Sequence, residues 1–96
     1  MAKLTSKVII FENKKTSLRL AEEEWDALSF ICQKENIKRN NLLELINSTK
    51  NQEITLTNSI RLFSIIYFYN ELILLQNYDS TNYKTLSISE AIHGIL

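Results

Sequence analysis

The chain has 96 residues, enough for one domain but too few to enclose a large core unless association completes it. Its 11 basic and 11 acidic residues cancel, so the bulk positive charge common among nucleic-acid binders is absent. One cysteine excludes an internal disulfide, and the first residues lack the basic start, apolar run and small-residue cleavage site of a secretory signal.

The distribution of charge says more than its sum. Residues 1–20 hold Lys3, Lys7, Lys14, Lys15 and Arg19 against Glu12 alone, and the next turn opens with Glu22, Glu23 and Glu24. Positive charge is thus sorted toward the amino-terminal end, where a local phosphate-facing patch can form.

There is no proline and a single glycine, Gly94, so element boundaries rest on periodicity. Residues 1–14 are expected as an extended arm. Within it Val8-Ile9-Ile10-Phe11 is apolar and β-prone, and Glu12-Asn13-Lys14 reads as a turn. An arm and a hairpin with the following strand both remain open. The segment Lys15-Thr16-Ser17-Leu18-Arg19-Leu20 alternates, with Thr16, Leu18 and Leu20 on one side and Lys15, Ser17 and Arg19 on the other, as a half-buried strand requires.

From Glu22 the period becomes helical. Trp25, Leu28, Ile31, Cys32 and Glu35 recur at three and four, with Ala27 and Phe30 widening the apolar face. Three glutamates in the first turn complement the helix dipole, and Asn36 suits a left-handed stop. A second helix is expected over about 39–47, with Leu42, Leu43, Leu45 and Ile46 as its buried side. After a polar loop, a third helix starts near Thr57, which can cap it, and runs to about Asn77. It is apolar almost all round and should be buried on most sides. Residues 78–96 form a tail in which Ser87-Ile88-Ser89-Glu90 matches a capping box and predicts a short final helix.

Membrane insertion is not expected, because Asn58, Arg61, Asn70 and Glu71 break the apolar stretch 54–75 into runs well short of the ~20 residues of a span. The expected location is the cytoplasm. Trp25 and Cys32 read as core, while Tyr67, Tyr69, Tyr78 and Tyr83 read as interface or amphipathic surface. His93 has no second ligand at metal spacing. No phosphate-cradling glycine loop, catalytic triad or paired carboxylates are found, so neither an enzyme nor a cofactor is expected.

The order strand, helix, tight turn, helix, with a polar outward strand face, resembles the ribbon-helix-helix DNA-binding family, which includes the Arc and methionine repressors. One branch of small bacterial members is especially similar. Three segments carry the likeness: Lys15-Thr16-Ser17-Leu18-Arg19-Leu20, then Glu23-Glu24-Trp25-Asp26-Ala27-Leu28, then Thr57-Asn58-Ser59-Ile60-Arg61-Leu62-Phe63. Together they cover roughly residues 7–70. The chain departs from the family pattern in two places, with Asn36 where glycine is usual between the helices and Lys38 where a hydroxyl residue usually caps the second helix.

The resemblance implies a mainly α fold with a short β-ribbon: a ribbon-helix-helix homodimer, its domain over 15–77, with an extra carboxy-terminal helix. It implies a transcriptional regulator, such as a repressor, whose ribbon fills the major groove of double-stranded DNA. Lys15, Ser17 and Arg19 would then contact bases, Arg19 being suited to guanine by its planar fork. Lys14, Lys38, Arg39 and Asn40 would contact phosphate, the last three at the uncapped start of the second helix. Lys38 and Arg39 oppose the helix dipole until an anion docks there. The same polar row also reads as the solvated face of an edge strand. A second function class stays open beside DNA binding: a protein-interaction module, antitoxin-like or an assembly factor, that keeps the fold and binds a partner through the third helix. Dimerisation is expected in either case, to hide Leu18, Leu20 and that helix.

Overall fold

A computed structural model of the chain describes residues 3–11, 13–76 and 87–96. Strand β1 (Leu4–Phe11) and strand β2 (Lys14–Ala21) form an antiparallel hairpin, followed by helices α1 (Glu22–Glu35), α2 (Arg39–Thr49), α3 (Leu56–Gln76) and α4 (Ser87–His93). The architecture is a two-stranded ribbon with helices packed on its inner face. The tail segment 78–86 and its Tyr78 and Tyr83 lie outside the described residues.

Of the two readings left open for Val8–Phe11, the structure has the hairpin, so residues 4–11 are a paired strand rather than a free arm. Asn13, just before β2, takes the left-handed conformation (φ 67°) that asparagine tolerates. The register sets Lys7 opposite Leu18, Ile9 opposite Thr16 and Phe11 opposite Lys14 on the inner face. Ser6 opposite Arg19, Val8 opposite Ser17 and Ile10 opposite Lys15 form the outer face.

Ile9, Leu18 and Leu20 are buried against Trp25, Leu28 and Ile31 of α1, Leu42, Leu43 and Ile46 of α2, and Ile60, Phe63 and Tyr67 of α3. The expectation that a second copy is needed to hide Leu18 and Leu20 is therefore corrected. One chain covers them, because α3 folds back across the helical hairpin.

The junction from β2 into α1 is held by Glu24. Its Oε1 accepts a hydrogen bond from the Ala21 amide at 2.8 Å, capping a helix whose first residue is preceded by an alanine. The same carboxylate takes both Nε (2.6 Å) and Nη2 (3.2 Å) of Arg61, so α3 is clamped to the start of α1. Helix α1 ends at Asn36, left-handed at φ 57°, ψ 51°, with its amide donating to the Cys32 carbonyl.

Several side chains depart from their expected places. Phe30 points outward and meets Phe68 at 5.7 Å between ring centroids, instead of widening the buried face of α1. Leu45 is half-buried. The hydroxyl that caps α3 belongs to Thr55, whose Oγ1 accepts from the Asn58 amide at 3.2 Å, two residues before Thr57. Tyr67 is a core residue whose phenol donates to Glu35 at 2.5 Å, whereas Tyr69 is exposed. Burial, and then the Glu35 carboxylate, hold the Tyr67 phenol above its usual pKa. Helix α3 is buried on one side only. The final helix exists, and it brings Ala91 into the core, joined by Ile95 just past its end, with the Asn51 amide donating to the Ile95 carbonyl at 3.0 Å.

The Arg61 hydrogen bonds, the largest influence, hold the Glu24 carboxyl below the usual carboxylate range. The stability this pair adds is present above the unfolded glutamate pKa of about 4.3 and is lost as the pH falls through the lower folded value. Urea unfolding of Glu24→Ala should show a loss of about 1–2 kcal/mol at neutral pH. The gap from the unaltered chain should narrow in acid.

Candidate nucleic-acid interface

Alternation decides what β2 offers to solvent. Burying Leu18 and Leu20 on the inner face turns Lys15, Ser17 and Arg19 to the opposite one, and all three are exposed. The row presents two cations with a hydroxyl between them. Arginine supplies a planar donor fork, lysine a flexible point charge, and serine both a donor and an acceptor.

Of the two readings left open, the hairpin makes this outer face two strands wide. Ser6, Val8 and Ile10 of β1 stand directly beside Arg19, Ser17 and Lys15, and Val8 and Ile10 are exposed. The signal was present in the unbroken apolar run Val8–Phe11, which suits a strand covered on both faces. Only the hairpin register shows which of those side chains face outward.

Lys14 lies elsewhere. It is opposite Phe11 on the inner face, at the hairpin tip, where it lines an open groove with Thr16, Asn41, Glu44 and Ser48 of the strand and α2. The groove encloses about 660 Å³, wide enough for solvent to reach the lysine.

The start of α2 forms a third region. Lys38 is its N-cap in extended backbone (φ −75°, ψ 146°) and makes no side-chain capping bond, and no acidic residue stands in the first turn. The leading amides therefore lack the carboxylate or hydroxyl that normally satisfies them. Lys38 and Asn40 are exposed. Arg39 is half-buried and its guanidinium lies 5.3 Å from the Trp25 ring centroid. Lys7 approaches the same ring at 5.1 Å, and the indole Nε1 donates to the Thr5 carbonyl at 3.0 Å. Buried Trp25 thus joins β1, α1 and the first residue of α2, and its role is core, as expected. Cys32 is half-buried on the same helix, and burial pushes its thiol up.

Lys15, Ser17 and Arg19 are therefore gathered on one outward row, while Lys38, Arg39 and Asn40 are gathered at one helix start. Within a single chain the structure does not merge the two sets into one patch, because the Trp25 link holds the α2 start on the inner side of β1.

A family model described as the ribbon-helix-helix domain matches residues 4–68, more than half of the chain. The chain belongs to the ribbon-helix-helix family. The match runs from the first residue of β1 into α3, so the hairpin, the helical pair and the first part of α3 all lie within the ribbon-helix-helix region. The remainder of α3 and helix α4 extend beyond it. No curated protein and no solved structure matches the chain. Ribbon-helix-helix domains as a group are DNA-binding regulators that typically act as dimers without enzymatic activity. Among the described residues, no helix is long and apolar enough to cross a membrane.

Removing a cation from Trp25 tests the placement of Arg39. Arg39→Ala opens the ring to water and should shift its fluorescence maximum to longer wavelength. Lys38→Ala, whose side chain is exposed, should leave the emission unchanged.

Proposed function

We propose that the protein is a sequence-specific DNA-binding transcriptional regulator that grips the major groove as a homodimer. The observation that carries this reading is the outward row Lys15, Ser17 and Arg19, held on a strand whose opposite row is locked into the core. The row cannot turn away from solvent without pulling Leu18 and Leu20 out of the core.

Strand β2 is hydrogen-bonded to β1 along one edge, and among the described residues the sheet has two strands. Its other edge is a template for a further strand. Two copies pairing β2 to β2 about a two-fold axis set two Lys15-Ser17-Arg19 rows side by side, a ribbon that a groove about 12 Å wide accepts. Each β1 then flanks the reading pair. Arg19 pairs with guanine O6 and N7, while Lys15 and Ser17 read neighbouring edges. The open amides at the start of α2, with Lys38, Arg39 and Asn40, hold a phosphate and set the register, and Lys14 takes another from the hairpin tip. A phosphate at the α2 start also relieves the unfavourable position of Lys38 and Arg39 at the positive end of the dipole. The neutral chain is compatible with this role because its cations are local to the row and the helix start. A regulator of this kind works beside the bacterial chromosome, in the cytoplasm.

A second reading is favoured by the apolar outer side of α3: a protein-interaction module of the same fold whose partner is another protein. The two separate in a binding titration on duplex DNA at low and moderate salt. The regulator reading expects salt-dependent affinity, at least about tenfold weaker for Arg19→Ala. Lys38→Ala should reduce the slope of affinity against salt by about one. A folded protein with no affinity for any duplex at low salt would leave the interaction module.

A further inference from the structure

The outer side of α3 carries a pattern that its own core uses only at its edge, where half-buried Leu62 touches it. Ser59, Ile60, Phe63 and Tyr67 face inward. On the opposite side Leu62, Ile65, Tyr69 and Leu72 recur at spacings of three and four, the a/d repeat of a helix seam. Polar residues close the seam at both ends, Asn58 one step before Leu62 and Gln76 one step after Leu72. Beside it Phe30 of α1 stands against Phe68, which extends the apolar surface across to the neighbouring helix.

We infer that this face is a contact between copies of this chain, made by two α3 helices packed antiparallel about a two-fold axis. Three observations select that occupant. The first is self-complementarity. With the axis at the level of Tyr67, Ile65 meets Tyr69 of the other copy, Leu62 meets Leu72 and Asn58 meets Gln76, so like chemistry falls on like chemistry along the whole seam. The second is the scarcity of free charge beside the seam. Ile66, Phe68, Ile73 and Leu75 occupy flanking positions where a dedicated foreign partner is normally selected by charged pairs, and the charged flanking residue, Arg61, is already held by Glu24 of the same chain. The third is area. Phe30, Ile65, Tyr69, Leu72 and Leu75 are between 53 and 70% exposed, which at roughly 200 Å² per large side chain amounts to roughly 600 Å². The half-buried Leu62 and Phe68 add to this, bringing one copy close to the about 800 Å² per partner of a stable interface. A patch of that size is more than a lone soluble chain ordinarily leaves in water.

Between α1 and α3 a groove of about 560 Å³, apolar along Ala27, Ile65, Phe68 and Leu72 and bordered also by Glu23 and the Glu24–Arg61 pair, lies alongside the seam. Side chains of the second helix have a place to insert there. The contact is independent of the DNA reading and is measured without DNA. It uses a helix face rather than a strand edge, so it can join one β2-paired dimer to the next.

Two measurements on the full chain decide it. In sedimentation equilibrium, Ile65→Glu should weaken self-association at least about tenfold, because it buries an unpaired charge in the seam. The position is exposed within one chain, so the variant should keep its helical circular dichroism. An unchanged association constant overturns the proposal and leaves the face to a different protein. In a Cys32→Ala background, chains carrying Ile65→Cys and Tyr69→Cys should cross-link to each other faster than either does to itself. Preferential 65-to-65 bridging, or no bridging above that of an exposed cysteine on another helix, contradicts the antiparallel seam.

Discussion

The inner row of the hairpin, Ile9, Leu18 and Leu20, is packed against three helices of the same chain, and that packing governs everything the ribbon can do. A strand has a side-chain period of two, so slipping the register by one residue would drive Arg19 and Ser17 into the core and expose both leucines. The penalty for burying an unpaired guanidinium removes that alternative. The outward row is therefore a consequence of burial, set before any ligand is considered. In this chain the hairpin is covered by α1, α2 and α3 together, so a single copy already fixes which side chains its outer face presents.

Two polar links transmit that placement to the helices. Glu24 caps α1 through the Ala21 amide and holds Arg61 of α3, so one carboxylate ties the end of β2 to two helices. Trp25, one residue on, reaches back to the Thr5 carbonyl and lies between Lys7 and Arg39. The start of α2 is thereby positioned relative to β1 by a buried ring rather than by its own cap. A lysine N-cap leaves amides and cations exposed at one point. This end of α2 is better satisfied by an anion than by solvent alone. Although the chain is formally neutral, its cations cluster on the outward row and at this helix start.

What could be read from the residues divides along physical lines. Phe30 and Leu45, at the margins of the α1 and α2 faces, were misplaced, whereas the β2 alternation, the centres of those faces and the Asn36 stop were legible because each is a local signal. Local period, charge and a left-handed-tolerant residue suffice for them. The pairing of Val8–Phe11 was not, because an apolar run carries no register and nothing in it distinguishes an arm from a hairpin. Tyr67 and Tyr69 differ in fate only through the rotation of α3, which its nearly uniform apolarity conceals. Thr55 and Thr57 are equivalent caps on paper, and the loop geometry selects the first. The polar row Lys15, Ser17 and Arg19 could be placed from the pattern alone. The neighbouring row on β1 could not, since it depends on pairing partners five to thirteen residues away.

The central claim is that the outward β2 rows of paired chains read DNA. A selection from random duplexes with the purified full chain, followed by sequencing of the retained pool, tests it most directly. The account predicts enrichment of a short two-fold-symmetric site, as expected for two ribbon rows related by a dyad. A pool that stays random through repeated rounds at low salt would contradict it.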